Sequence, residues 1–124
     1  MRLGAEPPVD KGAAAPASLE QLRSEQVEVL THASEISAKQ YNAGLISFSE
    51  MNNCMKALTE AKLDASKTAR ERAEILAASV AAAKLAETLA DAKFKAGLAT
   101  ELEHLEARSY RLKLQIMEAG EQRH

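Results

Sequence analysis

The sequence predicts an all-α protein made of two antiparallel helical hairpins, and three observations carry that expectation. Twenty-five of the 124 residues are Ala, set among Leu, Glu, Lys and Arg, while the aromatic share is 3%. That mixture favours helices and is poor in the β-branched and aromatic types that strands prefer. All three prolines (Pro7, Pro8 and Pro16) fall in the first 17 residues, so no proline interrupts the chain from Ala17 to Ala119. The only two glycines of that stretch, Gly44 and Gly97, lie 53 residues apart in nearly the same phrase. A single short domain with an internal duplication follows.

The two phrases are Tyr41-Asn42-Ala43-Gly44-Leu45-Ile46-Ser47 and Phe94-Lys95-Ala96-Gly97-Leu98-Ala99-Thr100, and Glu50 and Glu103 also correspond. A Gly just past a helix C-cap adopts the left-handed conformation at least cost, and an apolar residue after it folds back on the last turn. Gly44-Leu45 and Gly97-Leu98 have that form. Ser47 with Glu50, and Thr100 with Glu103, form capping boxes in which the hydroxyl accepts from a free amide and the acid reaches back to the cap. Each phrase therefore stops one helix and starts the next. Ser18 with Gln21 and Thr68 with Glu71 read as two further starts.

The elements follow in order. Residues 1–17 read as a disordered leader rich in Pro, Ala and Gly, residues 18–119 as the helical hairpin-repeat domain, and residues 120–124 as a polar tail. Helices are expected over 19–43, 48–66, 69–96 and 101–119. The break near Ser66 to Thr68 has neither Gly nor Pro. The alternative there is a continuous rod of about 48 residues, roughly 70 Å long at 1.5 Å per residue. Spacings of three and four place Ile75, Ala78, Ala82, Leu85, Leu89, Ala92 and Ala96 on one stripe of the third helix. Leu102, Leu105, Leu112 and Ile116, with Ser109 between, form a stripe on the fourth. Leu19, Leu22, Val29, Ala33 and Ile36 do so on the first, and Phe48, Met51, Met55, Leu58 and Ala65 on the second. These stripes are the expected seams of a four-helix bundle. Because Ala removes little apolar surface from water, the core is expected to be thin, and a homo-oligomer is expected to supplement it.

Composition and spacing also exclude classes of function. A net charge of −2 leaves no general basic field, and the clusters Lys67, Arg70, Arg72 and Arg108, Arg111, Lys113 are interspersed with acids, so no nucleic-acid partner is expected. Without a long uncharged apolar window the chain has no direct membrane span, and without an apolar leader it is expected in the cytoplasm. Glu101 and His104 have the Glu-x-x-His spacing of a di-iron helix, but the repeat places Met51 opposite His104. No metal and no cofactor are therefore predicted. Cys54 has neither a nearby His nor a Gly elbow and reads as a small core residue. No catalytic residue is identified.

The two phrases, with Tyr41, Gly44, Leu45, Ser47 and Glu50 in the first and Phe94, Gly97, Leu98, Thr100, Glu103, Leu105 and Ala107 in the second, resemble the tips of the periplasmic hairpins in the TolC-type outer-membrane efflux protein family. The resemblance covers roughly residues 36–66 and 88–118, and two copies per chain match the duplication of that family. It implies a periplasmic location, and tips that gate a tunnel entrance and meet the adaptor protein of a tripartite pump. The lipid-facing strands of the family have no counterpart between the two phrases. The expected function is a non-enzymatic protein–protein interaction module. Gly44, Leu45, Ser47, Glu50, Gly97, Leu98, Thr100 and Glu103 form its turns, and Tyr41, Ile46, Phe48, Phe94 and Glu101 are candidate contacts. The alternative is a soluble cytoplasmic coiled-coil scaffold or regulator that oligomerises, unrelated to transport.

Overall fold

The computed structural model describes residues 17–122, so the expected leader lies outside the described residues apart from Ala17. Four helices follow one another: α1 (Leu19–Asn42), α2 (Phe48–Ala65), α3 (Ala69–Lys95) and α4 (Glu101–Gln122), with no strand among the described residues. The helices α1 and α2 pack as one hairpin and α3 and α4 as a second. Two hairpins from one repeat, as expected, make the fold.

Local hydrogen bonds explain each boundary. At the first turn Leu45 N donates to Gln40 O at 2.8 Å and Gly44 N to Tyr41 O at 3.0 Å. At the second, Leu98 N donates to Lys93 O and Gly97 N to Phe94 O at the same two distances. This is the double-bonded Schellman stop, and both glycines stand at φ +77°. Ser18 and Ser47 complete their capping boxes with Gln21 and Glu50. The break between α2 and α3 is real. Thr68 Oγ1 accepts from Glu71 N, while Glu71 Oε1 accepts from Lys67 N at 2.6 Å, one residue earlier than in a standard box. At the other end, α4 continues through Gly120, so the polar tail expected from residue 120 begins as helix. Glu121 is bound there by Arg72 of α3 at 3.2 Å, which ties down the last turn.

The backbone of α1 approaches α2 alone, and α2 lies against both α3 and α4. A groove of about 340 Å³ remains between α1 and α3, with Ala38 on one wall, Ala78 and Ala82 on the other, and Met55 and Leu58 in its floor. The core forms two clusters. Tyr41, Phe48, Met51, Ala86, Ala90 and Ala107 fill the end near the turns. Leu63, Leu76, Val80, Ala83, Tyr110 and Leu114 fill the other. Phe48, Leu76 and Leu114 are the largest fully buried side chains, so the core is as thin as the alanine content requires.

The faces that build this core differ from the expected seams. Phe48 and Met51 are buried as expected, with Met55 and Leu58 half-buried, but apart from Ile75, which packs on the second cluster, and half-buried Ala33, the stripes of α1, α3 and α4 face outward. Leu85 is 73% exposed, Leu102 70% and Ile116 71%, and Leu19, Leu22, Val29 and Ile36 are exposed too. The helices α3 and α4 each carry two apolar faces, and the one through Leu76, Val80, Ala83, Ala86 and Ala90 on α3, and through Ala107, Tyr110 and Leu114 on α4, turns inward. Polar pairing explains the choice. Arg111 Nε reaches Glu87 Oε1 at 2.8 Å, Arg72 reaches Glu121, and His104 Nε2 stands 3.7 Å from Asp91, all bridging α3 and α4 beside the buried stripe. Tyr110 OH donates to Thr59 Oγ1 at 3.4 Å, and Thr59 meets Ser79 across the second cluster. Turning the leucine faces inward would separate these partners, and small residues on the inner faces let the backbones approach closely.

Two predictions follow from this packing. A Cβ added at Gly97 meets nothing within 4 Å, so its cost is conformational alone. Gly97→Ala is expected to destabilise by about 1 kcal/mol, lowering the thermal midpoint by about 4–8 °C, with Gly97→Asn less harmful. An unchanged midpoint would show that the turn does not need a left-handed residue. The hydrogen bond from Arg111 holds the Glu87 carboxyl below its ordinary pKa of 4.5. A depressed carboxylate pKa stabilises the fold above its unfolded value and loses that contribution as pH falls through the folded one. Denaturant titrations at neutral pH and below 4.5 should therefore show a shallower acid loss in Glu87→Gln than in the wild type.

Candidate functional site

Both turns emerge at the same end of the bundle, where the second hairpin holds the first. Glu103 does this with its two oxygens. Oε1 accepts from Thr100 N at 3.3 Å, closing the box that starts α4, and Oε2 accepts from Phe48 N at 3.1 Å, at the start of α2. One carboxylate thus caps two helices, and the positive ends of both helix dipoles stabilise its charge. One turn further along, Ser49 Oγ donates to Glu106 Oε1 at 2.7 Å. From the opposite direction, Lys93 Nζ donates to Tyr41 O at 2.8 Å, at the C-terminal end of α1, and sits 3.9 Å from the centre of the Tyr41 ring.

The duplicated aromatic position has two environments. The Tyr41 ring meets Phe48 edge-on, with centroids 5.8 Å apart, and both are buried in the cluster shared by the hairpins. Burial first, and the Glu103 carboxylate second, push the Tyr41 phenol above its ordinary pKa. In the second copy Glu101 stands where Phe48 does, and His104 stands where Met51 does. Phe94 accordingly stacks on His104, with centroids 5.7 Å apart and planes 6° from parallel, and remains at the edge of the bundle. Tyr41 and Phe48, expected as contacts for a partner, are therefore core residues whose rings cannot reach one. Ile46 is half-buried against the same cluster, while Glu101 is exposed.

What the tips present is a pair of leucines. Leu45 is 73% exposed and Leu98 77%, each beside a left-handed Gly that fixes its direction. The exposed carboxylates of Glu50 and Glu101 lie close by in sequence, in the first turns of α2 and α4. The rim of the site is acidic and its protruding points are apolar, a combination suited to a protein surface.

Other expected groups lie apart from the tips or are engaged. Lys67, Arg70 and Arg72 pair with Glu20, Glu74 and Glu121, and Arg111 pairs with Glu87. Cys54 is half-buried on α2, and its carbonyl accepts from Ser34 Oγ at 3.3 Å. Among the described residues, no group of three or more His, Cys, Asp or Glu is placed to hold a metal ion, and no helix is long and apolar enough to cross a membrane. Sequence reasoning missed the outward leucine faces as surface. The signal was present in Ala107, Tyr110 and Leu114, which repeat with the same three- and four-residue spacing on the opposite side of α4.

Compared with protein-family models, curated proteins and solved structures, the chain gives no match. The likeness to TolC-type tips therefore rests on the two turn phrases themselves.

The link through Glu103 separates it from its repeat equivalent, Glu50, which serves only its own cap. Glu103→Ala is expected to destabilise by about 2 kcal/mol, because two amides lose a charged acceptor, and Glu50→Ala by about half as much. Equal losses in urea titrations would show that the bond from Phe48 N contributes nothing.

Proposed function

We propose that this chain is a non-enzymatic α-helical interaction module whose paired hairpin tips contact a protein partner. The observation that carries this reading is the side-by-side placement of the two turns, joined by Glu103, with Leu45 and Leu98 projecting from rigid left-handed corners. Two apolar points held by one carboxylate form a preformed surface, which loses little entropy on binding. The resemblance of the turn phrases to TolC-type tips adds the partner class, the helical hairpin of an adaptor protein in a tripartite pump, and a periplasmic setting.

A second reading, a coiled-coil scaffold or regulator that self-associates, is favoured by a different observation. The outward leucine stripe of α4 has the spacing of a coiled-coil seam but no partner among the described residues. In this reading the tips are structural and the helix faces carry the function.

Titration of the chain with a purified adaptor hairpin tests the first reading. Binding is expected. The double variant Leu45→Arg with Leu98→Arg is expected to weaken it at least about tenfold, while stability stays within about 0.5 kcal/mol because both side chains are exposed. No binding up to saturating hairpin would overturn the adaptor assignment.

A further inference from the structure

The outer face of α4 is an apolar surface that the fold leaves without a use, and its charges say what covers it. Leu102, Leu105, Ser109, Leu112 and Ile116 lie about 180° around the helix from the buried Ala107, Tyr110 and Leu114, at 100° per residue. A shallow groove runs along this face, lined by Leu105, Ser109, Leu112 and Ile116 with Arg108 and Lys113 on its rims. In heptad terms Leu102, Ser109 and Ile116 occupy a, and Leu105 and Leu112 occupy d. Glu106 and Lys113 then fall at e, and Glu101, Arg108 and Gln115 at g.

The geometry points to a second copy of this chain, docked through α4 in the antiparallel direction, with a two-fold axis crossing the helices between Tyr110 and Arg111. This rests on the reading of the chain as an interaction module and names one helix face and its occupant. A parallel pair sets each g residue against the next e residue of its partner. Glu101 would then face Glu106 and Arg108 would face Lys113, and both contacts repel. Antiparallel packing sets e against e and g against g. With the axis at Tyr110–Arg111, Glu106 faces Lys113 of the second copy twice over, and Arg108 faces Gln115. The same register places Leu105 against Ile116 and seats Leu112 over the notch at Ser109. Ser49 Oγ, 2.7 Å from Glu106, fixes that carboxylate beside the seam. Because α4 is already folded against α2 and α3, association incurs no helix nucleation cost, so a seam of little more than two heptads suffices. The contact is isologous and closes as a dimer.

The test is light scattering on the full chain after size-exclusion chromatography, over a wide range of concentration, with circular dichroism to confirm that each variant is folded. The wild type is expected at twice the 13.4 kDa chain mass. Leu112→Glu, Glu106→Lys and Lys113→Glu are each expected to raise the dimer dissociation constant at least about tenfold. An equimolar mixture of Glu106→Lys and Lys113→Glu restores both pairings and is expected to return to twice the chain mass. A dimer strengthened by either single charge change overturns the antiparallel register, because those changes relieve the repulsions of a parallel pair. A dimer indifferent to Leu112→Glu overturns the α4 seam and leaves self-association standing. A monomer at every concentration overturns the dimer and the scaffold reading together, while tip binding is still decided by the adaptor titration.

Discussion

The relation between the two turns of this bundle rests first on the Glu103 carboxylate. Each Schellman turn closes its own hairpin by local bonds, but nothing local relates one hairpin to the other. Glu103 supplies that relation because it is the third residue of one cap and a hydrogen-bond acceptor for the first amide of α2. Free amides at a helix start must find an acceptor, and a charged acceptor between two helix N-termini is favoured by both dipoles. The two turns are consequently coupled as well as adjacent: moving one displaces the acceptor of the other. Lys93 makes the complementary contact at the opposite polarity, placing its cation at the C-terminal end of α1, where the helix dipole is negative.

The repeat is symmetric in its backbone and asymmetric in its side chains, and the asymmetry is what allows two hairpins to pack as a pair. The four bonds of the two Schellman turns match in partners and length. At the next positions Phe48 and Met51 are replaced by Glu101 and His104, so one aromatic is drawn into the shared core and the other is left at the edge. There His104 stacks on Phe94 and Glu101 stays exposed.

Helix boundaries were legible in the sequence to within a residue or so at seven of the eight ends, because a cap is decided by chemistry within five residues. Ser47, Thr68 and Gly97 act through bonds to neighbours already written beside them. The exception, the C-terminal end of α4, depended on the distant Arg72 that binds Glu121. The inward faces were less legible for the same reason. On α3 the stripe through Ala78, Leu85 and Leu89 has better spacing than the stripe through Leu76, Val80 and Ala83, yet the latter is buried. Periodicity reports that a face is apolar and says nothing about which of two apolar faces brings Glu87 to Arg111 or Thr59 to Tyr110. The same limit applied at the site. Tyr41 and Phe48 stood next to the turn in sequence, but only the meeting of the two hairpins decides that their rings are spent on the core.

A thin core and a second apolar face are two aspects of one design. With Phe48, Leu76 and Leu114 as its largest fully buried side chains, the bundle derives modest stabilisation from burial and relies on caps, ion pairs and close backbone packing to hold its shape. The leucines that could have enlarged the core lie on the outside of α3 and α4, where the chain gains nothing from them in isolation. On α4, Leu102, Leu105, Leu112 and Ile116 form an exposed apolar stripe, the kind of surface that marks contact sites in other proteins. Reversing the faces would give a heavier core at the expense of every bridging ion pair between α3 and α4. The observed choice keeps the polar pairs that bridge α3 and α4 and leaves these leucines exposed.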